Sequence, residues 1–394
     1  MLQYREPEEL VMLRETLRRF VAAEMPRSEA ARWDADGVFP KDVYRKLADL
    51  GVMGLTIPEE YGGAGRNIPA TMAVIEELSK RSLAVAVPYI ATACYGGMNV
   101  LKCGTEAQKR DYLPQLAAGK LMFAFGVTEP DVGGDVASVR TTARRDGDKI
   151  VVNGAKRFIT GANVADYIYT VVRSDPAAPR YQNLSIVLVP REAKGVHIEK
   201  IKSIGMRGGA CTTDITFDNV EIPAQNILGG EAGWNKGWSF IVGPGLDVEK
   251  LEVAAMALGI AEAAVADATD YAATRHQFGK PIGEFQVIRH ALADARTDLH
   301  ASRLMLYHAA TLAQNNEPCS VESSMAKLFV SERAHKTVLA CQSILGAYGC
   351  VEGFDMERYV RDILIFPIVG GSSAIQRNNI ARHFERNSEK AHKI

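Results

Sequence analysis

Apolar residues recur at three- and four-residue spacing along the first 120 residues. Between Glu8 and Met25 they form one stripe (Leu10, Leu13, Leu17, Phe20, Val21) that Pro26 ends, the pattern of an amphipathic helix. Lys41–Leu50 predicts a short helix before Gly51, and Pro58–Gly65 (P-E-E-Y-G-G-A-G) a turn-rich loop. Ile68–Lys80, Ala84–Leu101 and Glu106–Ala118 predict three further helices, the middle one poor in charge and therefore buried. Near residue 121 the period shortens. Lys149–Asn153, Tyr167–Arg173, Leu184–Val189 and Thr213–Phe217 are β-branched or aromatic runs separated by Gly, Pro, Asn and Asp, and they read as strands. From about Gly233 the helical period returns in Asp247–Arg275, Glu284–Gln314, Val321–Leu345 and Ile375–Lys390, long alanine-rich segments that pack as a bundle. Ala254–Ala266 is apolar nearly all round, which predicts a central helix or a subunit interface. The expected fold class is α+β: an N-terminal helical domain (1–120), a middle β-domain built as a small barrel or sandwich (121–230), and a C-terminal four-helix bundle (231–394).

Composition narrows the function classes. A formal net charge of −1 over 394 residues gives no electrostatic footprint for nucleic acid and no polybasic membrane patch. No apolar run in the sequence reaches the roughly 18 residues a membrane span needs. Met1–Glu24 mixes acids with bases and shows no signal-peptide pattern, so a cytoplasmic protein is expected. The six cysteines are scattered, without a C-x-x-C pair or clustered histidines, which predicts no metal site and no disulfide framework.

Candidate chemistry begins at Phe123–Val136 (F-A-F-G-V-T-E-P-D-V-G-G-D-V). An apolar run ends in Thr128-Glu129-Pro130, and a turn with paired glycines follows. Glycines let backbone N–H groups approach a ligand, and a threonine hydroxyl donates to a ring nitrogen or carbonyl. About 25 residues on, Lys156–Gly161 (K-R-F-I-T-G) sets an aromatic and a second hydroxyl two residues apart. An aromatic face with hydroxyl donors suits a flat heteroaromatic cofactor.

These segments resemble, in order and at family spacing, the motifs of the acyl-CoA dehydrogenase flavoproteins. Pro58–Gly65 resembles P-E-x-Y-G-G, Val127–Asp135 resembles T-E-P-x-x-G-S-D, and Asn153–Gly161 resembles N-G-x-K-x-W-I-T-N-G. Gly205–Arg207 with Phe217–Pro223 resembles G-x-R…F-x-x-V-x-V-P, and Arg275–Gln286 closely resembles R-x-x-F-G-x-x-I-x-x-F-Q. Gly346–Arg361 and Gly370–Arg377 resemble the two C-terminal glycine-containing motifs. The resemblance implies FAD as cofactor. Phe125, Val127 and Thr128 would lie along the isoalloxazine ring, with Phe158 and Thr160 at its other side, and Gly133, Gly134 and Ile159 would also bind the cofactor. Arg275, Gln277, Phe278 and Gln286 would contact the FAD of a neighbouring subunit in a homotetramer, and Ser343, Gly346, Ala347, Ser372 and Ala374 would also adjoin the cofactor. An acyl-CoA substrate is implied at Gly134, Asp247, Lys250, Gly370, Gly371 and Arg382, and an electron-transfer flavoprotein as electron acceptor.

The departures from the family pattern bear on the reaction. Removing a proton α to a thioester needs a base and a polarised carbonyl. Most members carry the base as the Glu of E-G-T, but here the motif reads Gly370-Gly371-Ser372-Ser373. The Gly370 N–H, which in the family helps hold the thioester oxygen, is retained. Isovaleryl-CoA dehydrogenase and some relatives instead place the Glu in L-D-x-E-R at the start of the bundle. This chain reads Leu246-Asp247-Val248-Glu249-Lys250, so the resemblance assigns Glu249 as catalytic base. Glu249 shares a stripe with Val253, Met256 and Ile260, while Glu252 is expected to be structural. Gly134 stands where Ser is usual, Phe158 replaces Trp, and Ser343, Ala347 and Ala374 replace cofactor-facing residues. The reading is a dehydrogenase that makes a 2-enoyl-CoA from a branched or otherwise unusual acyl-CoA. The alternative is a non-oxidising lyase resembling 3-sulfinopropionyl-CoA desulfinase, which has a similar Gly-Gly. A protein that only binds an acyl thioester is the third.

Overall fold

Residues 6–242 and 244–391 are described by the structure, a computed structural model. Helices α1 (Glu8–Glu24), α2 (Arg27–Asp36), α3 (Lys41–Asp49), α4 (Ile68–Ser79), α5 (Leu83–Tyr89), α6 (Gly97–Cys103) and α7 (Glu106–Ala117) come first. Strands β1 (Phe123–Gly126), β2 (Thr142–Asp146), β3 (Lys149–Thr160), β4 (Tyr167–Arg173), β5 (Leu184–Pro190), β6 (Val196–Lys200) and β7 (Thr212–Pro223) follow. After α8 (Gly237–Ile241) and α9 (Pro244–Thr274), a hairpin of β8 (His276–Gln277) and β9 (Lys280–Pro281) leads into α10 (Gln286–Gln314). The chain closes with α11 (Ser320–Leu345), α12 (Asp355–Ile363) and α13 (Ser373–Ala391). Helices, then strands, then helices is the order the periodicity predicts. The N-terminal helices, however, do not form a unit of their own.

Two compact units interleave along the chain. The bundle unit takes the residues up to Ala31, Ile68–Leu83, and everything from Asp247 onward. The sheet unit takes Arg32–Asn67 and Ala84–Leu246. Thus α1 and α4 belong with the bundle, whereas α3, α6 and α7 belong with the sheet. A buried charge network explains the first assignment. Arg14 on α1 donates to Glu76 (2.9 Å) and Glu77 (3.0 Å) of α4, and Tyr307 of α10 donates to Glu76 (2.9 Å). Arg303 of α10 pairs with both Glu76 and Glu262 of α9. The central stretch of α9 is buried on every side, from Val248 through Ile260, apart from the half-buried Glu249.

In the sheet unit the strand order is β1-β4-β2-β3-β7-β6, with β5 also paired to β4. Alternation along β4 and β5 feeds two cores. Tyr169, Val171, Ile186 and Leu188 pack with Val100 of α6 and Leu113 and Leu116 of α7, while Ile168, Val172, Val187 and Val189 pack with Ile150, Val152 and Phe217. Helices α5 and α6 run on through a π-helical turn at Ile90–Gly96. The resulting segment, Leu83–Cys103, is long and apolar enough to cross a membrane, which corrects the expectation that no run is. Its apolar window is 78% buried inside the protein, as in a core helix. Of the cysteines, Cys350 is exposed and the other five are buried.

Candidate functional site

On the sheet unit, the two sequence motifs are tied to each other by buried polar contacts. The Glu129 carboxylate accepts from Lys156 Nζ (2.8 Å) and from the backbone N–H groups of Arg140 (2.6 Å) and Thr141 (2.9 Å). Burial alone would raise the Glu129 pKa, but Lys156 and these donors outweigh it and hold the carboxyl below its ordinary value. Lys156 Nζ also donates to the Val127 carbonyl (3.1 Å), and the Arg157 N–H donates to the Thr128 carbonyl (2.8 Å). The Val127–Thr128 backbone is thereby fixed against β3.

Immediately after Lys156 the β3–β7 register slips, and the bulge turns Phe158 outward. Phe158 sits at φ +59°, in the left-handed region that costs a non-glycine residue about 1–2 kcal/mol, and its ring is 57% exposed. The Arg157 guanidinium lies 5.1 Å from the ring centroid. Thr128 and Thr160 are half-buried, and among the described residues neither hydroxyl meets a partner. Gly133 and Gly134 are exposed, and a Cβ on Gly133 would meet nothing within 4 Å. An outward aromatic held in a strained conformation, two uncommitted hydroxyls and an open glycine turn fit a flat, polar-edged ring system such as isoalloxazine. Ile159 departs from its expected role: its side chain is 2% exposed and belongs to the core, so only its backbone is available. Phe125 is half-buried between Tyr95 (ring centroids 4.9 Å apart) and Tyr169 (5.0 Å).

On the bundle unit, the expected base and the expected thioester donor are each related to Val253 of α9. Glu249 is half-buried on α9, one turn before Val253. Gly370 rests on Val253: a Cβ there would come within 2.8 Å of Val253 Cγ2, and its φ of +62° disfavours any side chain. Among the described residues no acceptor meets the Gly370 N–H. Asp247 and Lys250, expected at the substrate, are paired with each other (2.9 Å), and Lys250 is 3% exposed with its ammonium also reaching Ser320 O and Ser323 Oγ. Glu252 is 1% exposed, as a structural acid would be. Ala374 and Arg382 are exposed on α13, and Ser372 Oγ accepts from the Ile375 N–H at its start.

The remaining expected cofactor residues sit at the far end of α9 and beyond. Arg275, Gln277, Phe278 and Gln286 are all exposed around the β8–β9 hairpin, whose tip carries Phe278 and Gly279 at φ +50° and +81°. Phe278 is 91% exposed. The Arg275 guanidinium lies 6.0 Å from the Tyr348 ring centroid, in the loop that also holds the exposed Gly346 and Ala347. Ser343 Oγ donates to Leu339 O within its helix (3.0 Å).

Sequence reading assigned no role to Lys327 or Gln376, which grip the Gly370–Gly371 turn. Lys327 is fully buried and donates to Phe366 O (2.9 Å) and Gly371 O (2.8 Å). Gln376 Nε2 donates to Gly370 O (3.0 Å) and Gly371 O (2.9 Å). The signal was present: Lys327 interrupts the buried small-residue stripe Ser323–Val330–Ala334 of α11.

Comparison with known proteins covers nearly the whole chain. Family models for the acyl-CoA dehydrogenase N-terminal, middle and C-terminal domains match residues 7–120, 124–220 and 235–384. An acyl-CoA dehydrogenase of Bacillus subtilis (strain 168) is 38% identical, over 95% of this chain and 98% of its own. A 3-(aryl)acrylate reductase of Clostridium sporogenes is 36% identical over the same shares. The solved structure of butyryl-CoA dehydrogenase from Megasphaera elsdenii superposes with a TM-score of 0.91 at 30% identity, covering 97% of this chain and 100% of that one.

Proposed function

The chain belongs to the acyl-CoA dehydrogenase family of FAD-dependent oxidoreductases, and on that premise we propose that Glu249 is the base with which it dehydrogenates a branched or otherwise unusual acyl-CoA. The observation that carries this reading is the packing of Gly370 on Val253. The left-handed backbone and the Val253 methyl disfavour a side chain at 370, and the glycine there carries no carboxylate. Residues one turn apart on a helix are neighbours on its surface, and Glu249 precedes Val253 by one turn. Glu249 then takes the α-proton while the Gly370 N–H donates to the thioester oxygen, where charge develops. Bound FAD supplies the acceptor for the hydride leaving Cβ. Thr128 and Thr160 offer donors to its ring edge, and Phe158 offers its face.

Around this chemistry, a homotetramer in which Arg275, Gln277, Phe278 and Gln286 reach a neighbour's FAD gives the exposed hairpin a use. Electron-transfer flavoprotein is the proposed acceptor. The Gly370–Gly371 pair also favours a second reading, a non-oxidising acyl-CoA lyase, which has no need of a carboxylate at 249.

Anaerobic titration of the FAD-loaded protein with a panel of acyl-CoAs separates the two. The panel includes aryl-substituted thioesters, because one relative is a 3-(aryl)acrylate reductase. Bleaching of the flavin's visible band by one member, slowed about 10²–10⁴-fold in Glu249→Gln, is the expected result for removal of a general base. Equal bleaching rates in wild type and Glu249→Gln would remove the base assignment while keeping the dehydrogenation, and no bleaching by any member of the panel would leave the lyase.

A further inference from the structure

The turn at Gly370–Gly371 is held from its buried side by two polar side chains that have no evident purpose in a helix bundle. Taking an ammonium out of water costs several kcal/mol unless it is paired and hydrogen-bonded. Yet Lys327 is fully buried, and among the described residues no carboxylate lies within ion-pair range of it. Its hydrogen bonds go to the carbonyls of Phe366 and Gly371, on either side of Gly370. Gln376, 1% exposed, adds its amide N–H groups to the carbonyls of Gly370 and Gly371. The amide orientation follows from chemistry, because the flipped form would set its oxygen against two carbonyl oxygens.

Backbone geometry turns this grip into a functional statement. Gly370 and Gly371 both lie in the left-handed region, at φ +62° and +78°. A planar trans peptide sets C=O and N–H on opposite sides, so holding the Gly370 carbonyl toward Gln376 aims the Gly371 N–H away from it and fixes ψ at Gly370, the residue whose own N–H is the proposed thioester donor. Among the described residues neither glycine N–H meets an acceptor, and both residues are at least partly exposed. Two glycines without such a grip would sample many backbone states, and a donor that moves stabilises developing charge poorly.

We infer that Lys327 and Gln376 are positioning residues that, by holding the carbonyls of Phe366, Gly370 and Gly371, fix the N–H donors of this turn for a thioester oxygen. The inference rests on the reading of Gly370 given above. It separates the recognition of a thioester carbonyl from the binding of CoA in general.

The test compares two CoA ligands of equal length by calorimetry on the FAD-loaded enzyme. One is a thioester with sulfur at its β-position, which cannot be dehydrogenated; the other is an S-alkyl thioether without the carbonyl. Wild type should bind the thioester more tightly. In Lys327→Met that preference should shrink about tenfold, the scale of a lost charge-assisted hydrogen bond, with thioether affinity unchanged. Gln376→Met should reduce the preference in the same sense and serves if Lys327→Met does not fold. Retention of the wild-type preference in either folded variant, or equal weakening of both ligands, overturns the inference. Absence of any preference in wild type instead removes Gly370 as thioester donor, and the inference falls with it.

Discussion

Gly370 is the thioester donor of the proposed reaction, and its energetics are open to measurement. Replacing it with Ala places a side chain in the left-handed region, at about 1–2 kcal/mol, and drives a methyl into Val253 Cγ2. Gly370→Ala should therefore lower stability by at least that amount in urea unfolding, and adding Val253→Ala should recover the steric part but not the backbone part. Full additivity of the two single changes would show that the contact is not limiting. Phe158 has the opposite character. It is a bulky residue kept where glycine would be comfortable, which argues that its ring is needed at the surface rather than in the core.

At the scale of elements, the contact between α9 and α4 is governed by Gly259. A Cβ there would lie 2.3 Å from the Glu76 carbonyl oxygen, which is backbone and cannot step aside. Gly259→Ala should cost about 1–3 kcal/mol, as overpacking does, read as a shift in the urea midpoint at unchanged slope. The long helices were legible in the sequence because a 3.6-residue stripe repeated over many turns leaves little ambiguity, and their ends fell within a few residues of those expected. Short strands were not. Strand β2 (T-A-R-R-D) is charged at most positions, and β6 (V-H-I-E-K) alternates over too few residues and buries none, so neither stands out as a strand. Strands β3 and β7 run further than expected because Asn153, Gly154 and Arg157 interrupt the apolar pattern where β3 bulges. Helix α2 buries one short face, Ala30, Trp33 and Asp34, in which Trp33 is the one large apolar residue, too little to mark a stripe. The site was legible as a set of motifs, since each is local in sequence. Its supports were less so: Lys327 stands out within α11, but the turn it holds is 44 residues away, and nothing local to Gln376 marks it as holding the carbonyls of Gly370 and Gly371.

Over the whole molecule, the bundle unit carries a buried network of ion pairs. Burial opposes ionisation of Glu76, but Arg14, Arg303 and Lys80 outweigh it and hold the carboxyl well below the ordinary value of 4.5. A carboxyl depressed in the folded state stabilises fully above its unfolded pKa and loses that contribution as pH falls through the folded one. Urea stability should accordingly decline below about pH 4.5. Arg14→Met, which strands a buried carboxylate, should cost about 3–5 kcal/mol at pH 7 and flatten that acid slope. Assembly can be tested by complementation. If Arg275 and Phe278 serve a neighbour's FAD, co-assembling Glu249→Gln with an Arg275→Ala, Phe278→Asp double variant should restore up to about a quarter of wild-type turnover from two inactive parents, the share expected for random pairing. No recovery in verified mixed oligomers would place each cofactor within a single chain.

The interleaving of the two units also has a consequence for how the protein is made. Helix α1 leaves the ribosome well before α10, because Tyr307, which with Arg14 holds Glu76, lies 293 residues beyond Arg14 in the chain. Synthesis at about 5–20 residues per second separates them by roughly 15–60 seconds. Through that interval Arg14 has at most Glu6 and its α4 partners, and the faces of α1 and α4 that meet α10 stay uncovered. The nascent chain should thus engage a chaperone at its N-terminal third and release it only when α10 has emerged.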